Sequence, residues 1–166
     1  MIKRKTDWFL ILAVLMMIGL FYSSAMTYHQ QTSVPFLERL LQHEPLKQWL
    51  SQFTLHYAGS EQSVQVSGYF KFVEFFIRKG AHFGTYFLLG LFSYLGLRPR
   101  LEGRGLAVIF SWLSATGYAA TDEFHQMLTG DRTPLFQDVM LDSFGALTGI
   151  GLFIIIEWLF RRKKRR

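Results

Sequence analysis

The sequence predicts an all-α membrane protein: a four-transmembrane-helix bundle with a small extracytoplasmic helical and hairpin segment between its first two spans. Three observations predict it. Half of the 166 residues are hydrophobic, 17 of them phenylalanine, which is too apolar for an ordinary soluble domain. The apolar residues gather in four runs, each close to the roughly 20 residues that cross a bilayer. The basic residues gather in short flanks that alternate with those runs. The length suits one domain, taken as 1–166.

The first span covers about 8–26 and follows Lys3, Arg4 and Lys5. A basic start, an apolar stretch and "YSSAM" also read as a secretory signal peptide cut after Ala25. That reading leaves three spans in unchanged orientation. The segment 27–69 comes next. Phe36, Leu37, Leu40 and Leu41, then Leu46, Trp49, Leu50 and Phe53, recur at helical spacing on either side of Pro45. They predict two short amphipathic helices at the outer interface. Phe53, Leu55 and Tyr57, then Val64 and Val66, alternate around "AGSEQ" and predict a small hairpin. The remaining spans are expected at 75–97, 105–121 and 135–160.

Orientation follows from charge. Lys3 to Lys5, the Arg98, Arg100 and Arg104 group, and the basic tail 161–166 fall on alternate flanks, the side that the positive-inside rule makes cytoplasmic. Both termini are then cytoplasmic in a multi-pass protein of the cell membrane. The segments 27–69 and 122–134 face outward. The net charge of +6 is thereby explained as topology determinant and contact with anionic lipid. Nucleic acid is not an expected partner, because no folded basic face or interleaved aromatics accompany the tail. The absence of cysteine removes disulfides, zinc–thiolate sites and thiol nucleophiles.

Against this apolar background, "YAATDEFHQMLTGDRTP" (118–134) crowds ionisable groups at the mouth of the third span. Helical offsets of three and four put Asp122, His125 and Gln126 on one face, continued inward by Tyr118, Ala115, Ser114 and Ser111. In the second span Glu74, Arg78, His82 and Tyr86 form a stripe that Ser93 extends, with Lys79 beside it. In the fourth, Asp138, Asp142, Gly145 and Gly149 share a face. All three sets fall at the outer ends of their spans. Ionisable residues in spans are costly and face a bundle interior or a wet cavity, so one shared site is the expectation. The alternative is a self-compensating network of Arg78, Lys79 and Arg132 with Asp122, Glu123, Asp131, Asp138 and Asp142 that locks the bundle.

The residue types suggest three chemistries. As a binding site, Arg78, Lys79 and Arg132 would hold a phosphate or carboxylate, with Tyr86, His82, Gln126, Asp138 and Asp142 completing the pocket. As an enzyme, His125 beside Asp122 or Glu123 would serve as a general acid–base pair, with His82 a further catalytic candidate. A divalent metal held by Asp122, His125 and Asp138 is a variant of that reading. The sequence has no HExxH, GxSxG, P-loop or GxGxxG motif, and no cofactor is expected. As a helper or transporter-like bundle, the network would be structural or proton-linked, and the glycine face of the fourth span would support oligomerisation.

The stretches "RKGAHFGTYFLLG" (78–90) and "DEFHQMLTGDRTPLFQDVMLDSFGALTG" (122–149), with "FYSSAMT" after the first span, resemble the VanZ-like family of small bacterial membrane proteins. The family positions matched are Arg78, Lys79, His82, Tyr86, Asp122, Glu123, His125, Gln126, Arg132, Asp138 and Gly145. Asp142 stands where the family commonly has asparagine, and the outer segment 27–69 exceeds the family's minimal core. The resemblance implies a cytoplasmic-membrane protein, and the best-known member lowers susceptibility to teicoplanin. The partners so implied are the lipid bilayer and an anionic, lipid-linked envelope molecule or a glycopeptide.

Overall fold

The computed structural model describes residues 2–129 and 133–164. Helix α1 (Ile2–Ser24) leads into a cap made of α2 (Tyr28–Gln31), α3 (Val34–Leu40), α4 (Lys47–Leu50), strands β1 (Thr54–Tyr57) and β2 (Ser60–Ser63), and α5 (Val64–Ser67). Three long helices follow: α6 (Tyr69–Leu97), α7 (Arg104–Leu128) and α8 (Phe136–Lys164).

Helix α6 is the hub, packing on α8, α1 and α7. The four long helices run alternately up and down, as their end contacts record. At one end Arg98 bonds Glu157 at 2.8 Å and Arg100 meets Asp7. At the other, Ser24 bonds His125 at 2.8 Å and Lys79 meets Asp138 at 2.5 Å. The core between them is built from small side chains and a few rings: Ala13, Tyr86, Leu89, Ala115, Ala119 and Ala146, then Tyr94, Ala107 and Ile150 further along. Small residues let helix backbones approach, which strengthens dispersion contacts where apolar surroundings supply little hydrophobic drive.

The approach is closest between α6 and α8. A Cβ on Gly145 would stand 2.6 Å from the Phe83 carbonyl oxygen, and one on Gly90 2.7 Å from Ala146 Cα. Gly149 lies equally tight on the Phe87 backbone. This corrects one expectation. The glycine face of the last helix is spent inside the chain, against α6, and is not open for oligomerisation.

Large apolar side chains point outward instead. Ile11, Leu15 and Ile18 on α1, Leu106, Ile109, Phe110 and Leu113 on α7, and Leu152, Ile155 and Leu159 on α8 are all exposed. Two segments, Thr6–Ser24 and Phe136–Lys164, are long and apolar enough to cross a membrane by length and composition.

The cap differs from its sequence reading in register. Ala58 and Gly59 both have positive φ, 51° and 79°, the pairing of a two-residue type I′ turn. The turn therefore closes at Tyr57↔Ser60, and the second strand is Ser60–Ser63. Val64 and Val66, expected in that strand, lie in α5, which Ser63 caps by accepting from the Val66 N–H at 3.2 Å. Gly68, at φ 80° and ψ 160°, then turns the chain into α6 in a conformation that only glycine adopts readily. The two predicted cap helices are present at Val34–Leu40 and Lys47–Leu50, shorter than their periodicity suggested and preceded by the extra turn α2.

Helix α6 begins at Tyr69, six residues before the expected boundary, and α7 continues to Leu128. Charged side chains do not end a helix when they find partners. Glu74 is buried and accepts from Tyr28 Oη at 2.8 Å, Thr32 Oγ1 at 2.9 Å and the Ser33 N–H at 2.5 Å. Those bonds tie α2 and α3 to the first turns of α6. Tyr69 adds a bond to the Pro45 carbonyl at 2.9 Å and packs with Val64 and Phe72 against Leu41 and Leu50.

Candidate functional site

The ends of α6, α7 and α8 nearest the cap leave a cleft of about 500 Å³, roofed by α2 and the hairpin. Lys71, Glu74, Phe75, Arg78 and Lys79 of α6 form one wall. Glu123 and Gln126 of α7 and Leu135 and Asp138 at the start of α8 form the other. Tyr28 and Tyr57 close the top. The volume lies within the range of about 300–1,000 Å³ usual for small-molecule sites.

Its charges are arranged unevenly. Lys79 Nζ lies 2.5 Å from Asp138 Oδ1 and 4.7 Å from the centroid of the Tyr57 ring, whose hydroxyl donates to the same Asp138 oxygen. Burial, and then the Asp138 carboxylate, push the Tyr57 phenol above its ordinary range. Tyr28 is raised for the same first reason and then by its bond to Glu74. Both phenols therefore stay protonated and act as donors at neutral pH. Arg78 is held differently. Its guanidinium sits 5.1 Å from the Tyr28 ring centroid, a cation–π contact, and pairs with no carboxylate among the described residues. Across the cleft Glu123 is buried and accepts the Leu135 N–H at 3.0 Å.

A second polar layer lies beneath the cleft floor. His82 Nδ1 is 3.4 Å from Asp142 Oδ2, and Gln126 Nε2 donates to Asp122 Oδ2 at 3.0 Å. Tyr86 is fully buried, and its hydroxyl, Asp122 Oδ1 and Asp142 Oδ1 are buried without a hydrogen-bond partner among the described residues.

The predicted site residues thus fall into three groups. Arg78, Lys79, Glu123, Gln126 and Asp138 line the cleft. His82, Tyr86, Asp122 and Asp142 lie in the layer below. His125 stands apart. Its imidazole turns toward α1, where it bonds Ser24 Oγ at 2.8 Å and stacks on Phe21 at 4.4 Å. The acid–base pair of His125 with Asp122 or Glu123 is not formed; among the described residues the carboxylate–imidazole pair is His82 with Asp142. The reason is helical phase, since residue 125 is rotated about 60° from residue 122 (offset three at 100° per residue), enough for a different neighbouring helix to claim it. Arg132 lies outside the described residues. No group of three or more His, Cys, Asp or Glu side chains among the described residues is placed to hold a metal ion.

Sequence reasoning missed Lys71, Tyr28 and Tyr57 as parts of the site. Lys71 had a signal, because it stands seven residues before Arg78 and three before Glu74, on their helical face. Tyr28 and Tyr57 had none: they reach the site only through folding of the cap, and Tyr57 meets a partner 81 positions away.

What the cleft offers chemically is a guanidinium with donors to spare and a further lysine opposite a carboxylate, beside the apolar walls of Phe75 and Leu135. No curated protein and no solved structure matches the chain significantly. A family model does: that of VanZ/LLP1 matches residues 9–157. With the match running over nearly the whole chain, the protein belongs to the VanZ/LLP1 family.

Proposed function

We propose that this protein is a four-span protein of the bacterial cytoplasmic membrane, with both termini cytoplasmic, that binds an anionic cell-envelope molecule at the outer leaflet. The observation that carries the reading is Arg78: a guanidinium without a carboxylate partner among the described residues, on the wall of a 500 Å³ cleft. Arginine presents donors in a fixed fork that matches phosphate and carboxylate oxygens. Lys71 adds charge to the same wall, and Arg132, in the segment beside Thr133, is a further candidate for the anion.

The four-span reading is supported by the exposed apolar faces of α1, α7 and α8, which suit lipid rather than water. Its orientation is supported by the basic end, where Arg98, Arg104 and Arg161 surround Glu157, opposite the cleft. The positive-inside rule puts that end in the cytoplasm and the cleft outside. A role in lowering glycopeptide susceptibility, teicoplanin included, follows from the family resemblance and would act through the same cleft.

The test is lipid analysis of the gently solubilised protein by native mass spectrometry, wild type beside Arg78→Ala, with teicoplanin susceptibility of cells carrying each form. An anionic or phosphate-bearing lipid retained by the wild type and reduced about tenfold in Arg78→Ala is expected, the effect of losing a charge-assisted contact. Equal lipid retention by both forms would remove the binding reading. A second reading, a helper bundle whose charges are structural, is favoured by the Lys79–Asp138 and His82–Asp142 pairs joining α6 to α8. It is distinguished by Arg78→Ala lowering thermal stability without changing the lipids bound.

A further inference from the structure

The uncompensated charges of the cleft are of both signs, and they sit on different helices. Lys79 is neutralised by Asp138 at 2.5 Å. Glu74 is saturated by the hydroxyl and amide donors of the cap. What remains is Arg78 and Lys71 on α6, and Glu123 on α7. Glu123 lines the cleft although it is only 5% exposed, and among the described residues its one hydrogen-bond donor is the neutral Leu135 N–H. A buried carboxylate with no cation either takes up a proton or is met by a positive charge, and a bound ammonium supplies that charge.

We infer that the ligand of the cleft carries an amine as well as a phosphate: a phosphoethanolamine-type headgroup presented by a membrane lipid. The inference rests on the anion-binding reading of Arg78 and deepens it. The phosphodiester takes the guanidinium of Arg78, and the primary ammonium donates to Glu123 across the cleft. The source is a lipid because the charged walls are flanked by exposed apolar side chains at neighbouring positions, Phe76 and Ile77 on α6 and Phe136 and Met140 on α8. These continue the cleft onto the surface that faces acyl chains. A purely anionic headgroup satisfies Arg78 and leaves Glu123 facing like charge, so the cleft discriminates by repulsion as well as attraction. A quaternary ammonium lacks the N–H donors for a charge-assisted hydrogen bond to Glu123 and is bound more weakly than a primary amine.

The experiment places full-length protein in nanodiscs of mixed phosphatidylethanolamine, phosphatidylglycerol and phosphatidylcholine and reads the retained lipid by native mass spectrometry. Wild type is expected to keep phosphatidylethanolamine over phosphatidylglycerol by about tenfold. Glu123→Gln is expected to lose that preference while still retaining phospholipid, and Arg78→Ala to lose both. Because Glu123 is buried and its variant can misfold, wild type is also offered N-acylated phosphatidylethanolamine, which lacks the ammonium charge. Equal loss of preference there supports the same conclusion without a substitution. Competition by soluble phosphoethanolamine would assign recognition to the headgroup alone, and failure to compete assigns it to the lipid. Equal retention of both glycerophospholipids by wild type, with both lost in Arg78→Ala, overturns the amine partner and leaves the anion site standing. Retention of both lipids in Arg78→Ala overturns the anion site as well.

Discussion

Lys79 of α6 and Asp138 of α8 meet at 2.5 Å on the cleft wall, with the Tyr57 ring beneath the ammonium and the Tyr57 hydroxyl on the same carboxylate. One ion pair thus joins two long helices and the hairpin that roofs them. The three residues lie far apart in sequence.

Removing one member of that pair should cost more than removing both. Lys79→Met leaves the Asp138 carboxylate partly buried with only Tyr57, and thermal unfolding in detergent is expected to show a loss of about 1–3 kcal/mol. The double variant Lys79→Met with Asp138→Asn should recover part of it. A double variant no more stable than Lys79→Met would mean the pair contributes little.

Tyr57 makes a pH-dependent contribution. Its phenol is raised above the ordinary value of 10.0, first by burial and then by Asp138. A group with a raised folded-state pKa contributes stability in full below its unfolded value and loses it as pH rises through the folded one. The wild type should therefore lose stability relative to Tyr57→Phe as pH rises above 10, with no change in their difference between pH 6 and 9. Parallel melting temperatures for the two proteins across the alkaline range would contradict this.

The glycines of the last helix should divide by position. Gly145→Ala and Gly149→Ala drive a methyl group into the Phe83 and Phe87 backbone and are expected to cost about 1–3 kcal/mol each. Gly151 faces open space, so Gly151→Ala should be neutral or slightly stabilising through helix propensity. Because the tight glycines pack within the chain, oligomeric state measured by light scattering should not change in any of the three.

The absence of cysteine makes topology directly measurable. A single Ser60→Cys in the hairpin turn should react with an impermeant maleimide on intact cells. Glu102→Cys, in the connection between α6 and α7, should react only after permeabilisation. Labelling of both from outside would contradict the proposed four-span topology.

Much of the helical framework was legible because hydropathy and charge are local. Apolar runs, basic flanks, the Pro45 division of the cap and the motif-bearing stretches 78–90 and 122–149 can each be read without knowing what they touch. Their boundaries were less legible. Tyr69 to Glu74 and Asp122 to Leu128 continue their helices with polar groups met by the cap and by α1, as in Tyr28 with Glu74 and Ser24 with His125, and those partners are remote in sequence.

By itself, then, the sequence determined the helical class, the positions of the long helices, the family and the crowding of ionisable groups at one end of three of them. Only the tertiary structure decided who meets whom there. His82, and not His125, faces a carboxylate; Lys79 is neutralised while Arg78 is left to the cleft; Gly145 and Gly149 are used up against α6. The physical reason is that spacing along a helix sets which residues share its face. The rotation of that face about the helix axis is set by packing against the other helices, and a difference of tens of degrees changes every partner.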